Sequence, residues 1–453
     1  MITRRQFLQA SASLALVPML PGQILGTTSL RTRPSWPQFR DGPLYTSFLD
    51  AVAKMRADND STQPGSWAYW TNVHASFCPH RKPYFLAWHR GFLARFEAQL
   101  RKASGNSALV LPYWNYYDQP VIPAEFRDPG SPLYRSNRSG TNVSGALSLA
   151  AFDASLTNFQ RGKTDAFEPA VETAPHNGVH NLIGGAMGNI TISPRDPVFW
   201  VHHANIDRLW DAWVQAGDGR HMPARTAAYC SGSFSYGAAV SSMQRVKTYS
   251  PGSLGYRYDD TAMPTSGTSA LQIAPLPAIQ DALAAPLPAQ GASLGGMGGL
   301  ALGSGSLRVR IPLTADGRNR VRSLVTSGTG QGGEVRLVLD GVDLTDAGAR
   351  GGYFYKVLLN LPTGSVAQPE RTYLAGTLGS FEVSVARHAQ MMASCGAMAM
   401  HGPVRIVLPL RDVLRRIWPE SLDALTVSFV RVEADSAPQA DAMVIDRVSV
   451  EAD

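Results

Sequence analysis

The chain has 453 residues, which is long enough for two or three domains, and a formal net charge of +6. Its positive charge is mild and dispersed, with no run of Lys or Arg after the N-terminal segment, which argues against nucleic acid as a partner. Three cysteines are too few for a disulfide framework.

The N-terminal segment, MITRRQFLQASASLALVPML, predicts export. Arg4 and Arg5 are followed by Phe7, Leu8 and a short apolar run, a pattern that resembles a twin-arginine signal. The apolar run is too short to span a bilayer, so we expect no membrane anchor. We therefore expect residues 1–30 to lie outside the fold and the mature protein to be periplasmic or secreted.

Histidines are concentrated in two regions of the chain. Seven of the ten are His74, His80, His89, His176, His180, His202 and His203. An isolated histidine is more simply explained as a hydrogen-bonded core residue, but two groups of imidazoles predict two metal sites. Neutral imidazole suits copper, zinc or iron.

The spacing of these histidines fits helices. His176 and His180 are four residues apart and would project from one face of a helix. His89 lies in a stretch with apolar residues at helical spacing, which are Phe85, Phe92, Phe96 and Leu100.

His202 and His203 are adjacent, and neighbours on a helix point about 100° apart, so we expect only one direct ligand. We choose His203, because Asp207 lies four residues later and could reach back to fix its tautomer.

The order of the motifs resembles the tyrosinase and polyphenol oxidase family of type-3 copper proteins. The matching motifs are C-P-H, eight residues and H-R, then LPYWNYYD, PHNGVH and RDPVFWVHHANIDRLW. The match runs from about Arg33 to Asp260, where LGYRYDD resembles the tyrosine motif that closes the catalytic domain of the plant enzymes. The resemblance implies that one copper is bound by His74, His80 and His89, and a second by His176, His180 and His203.

The resemblance also implies the fold and the chemistry. We expect an α+β multidomain protein with a mainly α-helical catalytic domain, residues 31–260, in which a four-helix bundle surrounds two copper ions. O₂ is the implied co-substrate, monophenols are hydroxylated at the ortho position, and catechols are oxidised to ortho-quinones. The lack of a motif carboxylate argues against two-histidine iron oxygenases, whereas only the resemblance argues against zinc.

Two neighbours of the ligands have family counterparts of known chemistry. Cys78 precedes His80 by two residues, a spacing at which fungal relatives form a Cys–His thioether, and we predict that crosslink here. Glu172 lies four residues before His176 and matches the family glutamate that holds a water, which Asn177 can share. Such a pair could accept a phenol proton, which favours tyrosinase over pure catechol oxidase.

Three further residues are assigned from the resemblance. Ile190 aligns with the gate residue over the second copper, where relatives often carry Phe, and Asn181 occupies a position that influences substrate choice. Phe199 is expected to pack against a ligand ring, although an ordinary core Phe would have the same pattern.

The chain after residue 260 divides into two parts. Residues 261–306 are rich in Ala, Pro, Gly and Ser, and we read them as a flexible linker. Alternating segments over residues 307–453 predict an antiparallel β-sandwich, and these are LRVRIPL, GEVRLVLDGV, YFYKVLLNLP, GSFEVSVA, VRIVLPL and ALTVSFVRVE. GGYFYKVLLNLP and LGSFEV resemble the C-terminal domain of plant polyphenol oxidases, which covers the active-site mouth and can hold the enzyme latent.

The segment QMMASCGAMAMHG collects soft metal ligands, which are Met391, Met392, Cys395, Met398, Met400 and His401. It predicts a loop that loads Cu(I), with or without a copper chaperone, and apolar packing of methionines between strands is the alternative. Cys230 and Cys395 could also form a disulfide in an oxidising compartment.

The functional prediction is a tyrosinase. The alternatives are a catechol oxidase or ortho-aminophenol oxidase without monophenolase activity, an O₂-binding protein like the haemocyanins, and a copper-storage protein that uses the Met-rich segment.

Overall fold

The computed structural model describes residues 29–265, 280–282, 293–326, 333–362, 370–393, 402–419 and 421–452. Helices dominate the first part of the chain and strands the second, so the predicted α+β class is confirmed. The export signal lies almost wholly outside the described residues and stays a prediction. No described helix is long and apolar enough to cross a membrane.

Helices build the N-terminal half. They are α1 (Trp36–Arg40), α2 (Tyr45–Ala57), α3 (Trp67–Phe77), α4 (Phe85–Ser104), α5 (Ala124–Arg127), α6 (Phe167–Val171), α7 (Gly178–Ile183) and α8 (Val198–Gln215), and α9 (Ala315–Thr326), α10 (Ser380–Ala393) and α11 (Arg411–Ile417) follow in the C-terminal half. The helices α3, α4 and α7 each carry one of the clustered histidines, and α8 carries two.

The longest helix, α4, has the predicted apolar face. Phe85, Phe92, Phe96 and Leu100 are all fully buried. Gly91 lies on the same helix, and a Cβ there would come within 1.9 Å of the Tyr236 hydroxyl oxygen, so only glycine allows this close approach. Gly105 ends the helix with φ +71°, a left-handed conformation that glycine adopts without strain.

Two sheets form the C-terminal half. Their strands are β5 (Gln280–Ala282), β6 (Ser293–Met297), β7 (Leu300–Leu302), β8 (Leu307–Pro312), β9 (Val335–Leu344), β10 (Tyr353–Leu359), β11 (Leu374–Gly379), β12 (Val404–Pro409), β13 (Ala424–Glu433), β14 (Met443–Ile445) and β15 (Arg447–Ala452). One sheet has the order β11-β10-β13-β8-β5, and the other has the order β6-β15-β9-β14-β7 with β12 also paired to β9. The apolar faces of both sheets share one core, so the domain is a sandwich.

The sandwich begins earlier than predicted. β5, β6 and β7 lie within residues 261–306, which we had assigned to a flexible linker. The glycines that suggested flexibility instead permit close packing, since a Cβ at Gly295 would come within 2.1 Å of the Pro312 carbonyl oxygen. The linker is therefore shorter than its composition indicated.

The segment GSFEVSVA was predicted as a strand and is wrong, because it begins helix α10. Its alternating apolar residues are buried on two sides of one helix. Val383 joins the sandwich core, whereas Phe381 and Val385 pack with Ile190 of the helical domain. Burial on two faces gives a helix an apolar pattern with the period of a strand.

Four buried side chains, two of arginine and two of tyrosine, surround Asp207 of α8. The carboxylate accepts hydrogen bonds from Arg90 Nε at 2.6 Å and from the hydroxyls of Tyr256 and Tyr258 at 2.5 and 2.6 Å. Arg33 Nη1 lies 3.6 Å from the same carboxylate. Strands β1 (Arg31–Arg33) and β4 (Tyr256–Tyr258) pair in parallel and bring these residues together. The remaining strands, β2 (Ser233–Phe234) and β3 (Met243–Gln244), form a short hairpin.

We expect Asp207→Ala to lower the free energy of unfolding by about 3–5 kcal/mol, because it leaves the buried Arg90 guanidinium without its carboxylate and the buried hydroxyls of Tyr256 and Tyr258 without this acceptor. Urea denaturation of the copper-free protein measures the change. Asp50→Ala, which removes an exposed carboxylate on α2, is the matched control and should shift the unfolding free energy by less than about 0.5 kcal/mol. Equal effects of the two substitutions would show that the cluster contributes nothing.

Candidate metal centre

Imidazole rings from the two histidine groups meet in the interior of the helical domain. Nε2 of His74 lies 3.4 Å from Nε2 of His89, and Nε2 of His180 lies 3.4 Å from Nε2 of His203. The rings of His89 and His203 stack with centroids 4.5 Å apart, which joins the groups face to face. All seven clustered histidines are buried.

Hydrogen bonds at Nδ1 orient four of these rings. Nδ1 of His74, His89 and His180 lies 2.8–3.0 Å from the backbone carbonyl oxygens of Ile190, Phe85 and Met187, respectively. Nδ1 of His176 lies 2.8 Å from Oδ1 of Asn177. With the proton on Nδ1 donated to oxygen, the lone pair of Nε2 is free to bind a metal.

The chemistry of the donor set fits two metal ions. Burial lowers the pKa of the clustered imidazoles, and lowers that of His89 to about 4, so the rings are neutral at pH 7. Among the described residues, Nε2 of His80 and of His176 has no hydrogen-bond partner although it is buried. A buried ring nitrogen without a partner destabilises the folded state unless a ligand binds it, and a metal ion bound to Nε2 would remove this cost.

The reason we gave for choosing His203 over His202 is wrong. Asp207 binds Arg90, Tyr256 and Tyr258, and Nδ1 of His203 has no hydrogen-bond partner among the described residues. Charge pairing with two arginines outcompetes a neutral imidazole for the carboxylate.

Position still distinguishes the two adjacent histidines. One ring nitrogen of each of His176, His180, His202 and His203 lies within 4.8 Å of the others, so either candidate reaches the second group. The His203 ring also faces His89 and lies 6.5 Å from that of His74, whereas His202 lies beside Tyr116 at 5.7 Å. His203 therefore remains the predicted ligand.

Glu172 and Asn177 lie beside the histidines, and both side chains make polar contacts there. Asn177 accepts the hydrogen bond from His176. Glu172 Oε1 accepts a hydrogen bond from the backbone N–H of Arg81 at 2.7 Å and lies 3.3 Å from Nδ1 of His80, while Oε2 pairs with Arg161. The backbone explains why Glu172 reaches His80, since Ala174 is extended, with φ −149° and ψ 125°, and separates Glu172 from the turn that carries His176.

Phe381 of the sandwich domain contacts the centre and was not among the predicted site residues. Its ring stacks on His180 with centroids 4.2 Å apart and lies 5.4 Å from His80 and 5.7 Å from His176. The motif LGSFEV contains this residue, so a helical reading of that motif could have found it.

Both residues that we assigned to substrate access contact α10. Asn181 Nδ2 donates to Oε2 of Glu382 at 2.8 Å, and Asn181 Oδ1 accepts from the backbone N–H of Phe381 at 2.9 Å. The backbone N–H of Ile190 donates to Oγ of Ser384 at 2.8 Å. Helix α10 of the sandwich domain thus contacts Asn181 and Ile190 as well as the ring of His180.

Phe199 and Cys78 both lie beside the clustered histidines. The Phe199 ring is 4.1 Å from that of His203. One ligand atom of each of His74, Cys78 and His80 lies within 4.8 Å of the others, and burial raises the pKa of the Cys78 thiol. The thioether stays a prediction, and resistance of Cys78 to alkylation in the copper-loaded protein tests it.

The Met-rich segment is described only at its start. Met391 and Met392 belong to the last turn of α10, with Met392 exposed, whereas Cys395, Met398, Met400 and His401 lie outside the described residues. Copper loading and a Cys230–Cys395 disulfide therefore stay predictions.

Comparisons with known proteins identify the family of this chain. The common central domain of tyrosinase matches residues 49–154 and 137–216. A tyrosinase from Streptomyces lincolnensis is 32% identical over 195 residues, which are 33% of this chain and 67% of that protein. The chain belongs to the tyrosinase and polyphenol oxidase family.

Other relatives support the same assignment. A tyrosinase from Hahella sp. (strain CCB-MM4) is 33% identical over 210 residues, which are 35% of this chain and 45% of that protein. Latent polyphenol oxidase from Prunus armeniaca is 29% identical over 250 residues, with coverage of 42% and 41%, so the chain spans less than half the length of these two relatives. The structure of latent apple tyrosinase has the same fold, with a TM-score of 0.53 at 20% identity over 94% of this chain and 97% of that one.

The lowered histidine pKa values predict how stability depends on pH. Because His89 titrates near 6.5 when unfolded and at about 4 when folded, the unfolded state binds more protons between these values. The free energy of unfolding of the copper-free protein is therefore highest above about pH 6.5 and falls as the pH is lowered toward 4. The decrease is about 1.4 kcal/mol per pH unit for each imidazole that is protonated only in the unfolded state.

Urea midpoints measured between about pH 7 and pH 5 test this dependence. His89→Gln removes one of the buried imidazoles and should make the slope shallower by about one proton. An unchanged slope in that variant would mean that His89 is already protonated in the folded state.

Proposed function

We propose that the protein is a copper-dependent tyrosinase that hydroxylates monophenols at the ortho position and oxidises catechols to ortho-quinones with O₂. The observation that carries the proposal is the stacking of His89 on His203, which brings together two groups of three buried neutral imidazoles. His74, His80 and His89 would hold one copper, and His176, His180 and His203 the other. The copper pair would supply the redox chemistry with O₂.

The aromatic ring of the substrate would bind against the imidazole of His180. The Phe381 ring lies on His180, so a phenol that replaces it would stack on the same imidazole. Ile190 borders this position from the helical domain. The surrounding apolar residues exclude water from the reacting ring.

The protein also supplies a proton acceptor. A monophenol must lose its hydroxyl proton before it can bind as a phenolate, and the Glu172 carboxylate lies 3.3 Å from Nδ1 of His80. Arg161 and the Arg81 backbone hold this carboxylate in place. We propose that Glu172 accepts the proton through a water that Asn177 helps to orient.

Secretion through the twin-arginine pathway fits the N-terminal motif and belongs to the same proposal. Replacement of Arg4 and Arg5 by Lys should retain the protein in the cytoplasm, which cell fractionation measures.

Oxygen uptake by the copper-loaded full chain, with tyrosol and with hydroxytyrosol, tests the function. We expect uptake with both substrates. Asn177→Gly should lower the monophenol rate relative to the catechol rate by about tenfold, as expected for loss of one group that assists a proton transfer. Asn59→Gly, at the surface of the same domain, is the control.

Each alternative function gives a distinct result in that assay. Uptake with the catechol alone would indicate a catechol oxidase, and uptake with ortho-aminophenol alone an aminophenol oxidase. Reversible O₂ binding without turnover would indicate an oxygen carrier, and more than two coppers per chain without oxidation a storage protein. An unchanged rate ratio in Asn177→Gly would remove Asn177 from the proposed proton transfer.

We expect Phe381→Ala to raise kcat/KM for hydroxytyrosol in the full chain by about tenfold or more, because it opens the position above His180 without removing the domain. Gln390→Ala, which alters an exposed residue of the same helix, should leave the rate unchanged. Equal rates in Phe381→Ala and the unmodified chain would show that Phe381 does not limit access.

A further inference from the structure

The sandwich domain places a carboxylate directly beside the ring that fills the mouth of the centre. Glu382 follows Phe381 on α10, and its Oε2 accepts a hydrogen bond from Nδ2 of Asn181 at 2.8 Å. Its Oε1 accepts from Oγ1 of Thr377 at 2.5 Å. The mouth therefore holds an aromatic ring on His180 and a buried carboxylate on the amide of the next residue, Asn181.

Arg81 faces the same region from the helical domain. It follows His80 directly and has a left-handed backbone with φ +58°. Its Nη2 donates to the backbone carbonyl of Val407 in β12. The Arg81 guanidinium interacts electrostatically with the carboxylates of Glu172 and Glu382.

Arg81 and Asn181 would each lose a hydrogen-bond acceptor if the sandwich domain moved away. Val407 and Glu382 both belong to that domain, whereas Glu172 stays behind in its ion pair with Arg161. Departure of the domain would thus leave one guanidinium without a carbonyl and one amide without a carboxylate. Both groups bind carboxylates well, and a guanidinium does so with charge-assisted hydrogen bonds.

A cavity of about 210 Å³ between the domains is lined by Arg81 and Glu382 and provides room for a substituent. Its lining also includes Glu172, Asn177 and Thr377. On the wall formed by the helical domain the charged residues are three cations and two carboxylates, which are Arg81, Arg161, Lys163, Asp165 and Glu172. The excess of positive charge favours an anionic substituent.

We propose that the preferred substrates are phenols and catechols with a carboxylate on a short side chain. The substrate ring takes the position of Phe381 on His180, and its carboxylate takes the position of Glu382, bound by Asn181 Nδ2 and the Arg81 guanidinium. Phe381 and Glu382 together are then an internal copy of the substrate. This inference rests on the proposed oxidation of phenols and adds the class of substrate.

The test uses the copper-loaded full chain with Phe381→Ala and Glu382→Ala, which vacates both positions. Three catechols with the same ring are compared, namely dihydrocaffeic acid, its methyl ester and dopamine. We expect kcat/KM for the acid to exceed that for the ester by about tenfold and that for dopamine by more, with the preference declining as salt is added.

Arg81→Met in the same background should raise KM for the acid about tenfold and leave the ester unchanged, and Arg81→Lys should restore part of the preference. Lys82→Met is the matched control, because it removes an exposed cation one residue away. It should leave the preference for the acid intact. Equal kcat/KM for acid and ester, or equal effects of Arg81→Met and Lys82→Met, would overturn the proposal.

A binding measurement separates this inference from the proposed function. Calorimetry of the copper-free double variant should show tighter binding of phenylpropionate than of phenylpropionamide, by about tenfold, and Arg81→Met should abolish the difference. If no catechol is oxidised, the proposed function fails and this measurement alone decides the carboxylate site. Equal affinity for the two ligands would overturn the site. Circular dichroism of each variant verifies that it is folded.

Discussion

The orientation of the imidazole rings is the constraint on which the rest of the structure depends. A histidine can present either nitrogen to a metal, and here carbonyl oxygens fix the choice for His74, His89, His176 and His180. Those carbonyls come from a helix turn, a side chain and two loops, so each loop must be held in place. The loop at Ile190 is held in turn by Ser384, which ties ring orientation to the sandwich domain.

Much of the centre could be predicted from the sequence because its signals are local. The histidine spacings and the apolar face of α4 depend on residues within a few turns of each other. The family motifs predict the proposed ligand set in chain order. Asp207 was misassigned because its partners Arg33 and Tyr258 are far from it in sequence, and spacing along a helix carries no information about such partners.

The least predictable element was the one that joins the domains. Helix α10 has apolar residues on two faces, because Val383 packs in the core of the sandwich and Phe381 packs on the ring of His180. A sequence pattern averages over both environments and therefore resembles a strand. The linker was misjudged for a related reason, since glycine indicates flexibility in isolation but close packing beside a neighbouring backbone. Only tertiary contacts distinguish these cases.

The pairing of β1 with β4 has a consequence for synthesis of the chain on the ribosome. Arg33 and Tyr258 are 225 residues apart in sequence, yet both complete the buried cluster around Asp207. Until Tyr256 and Tyr258 have emerged, the Asp207 carboxylate of a nascent chain lacks the two hydroxyls that donate to it. The buried cluster around Asp207 is therefore complete only after translation has passed residue 258, so the helical domain gains this contact when its synthesis is nearly finished.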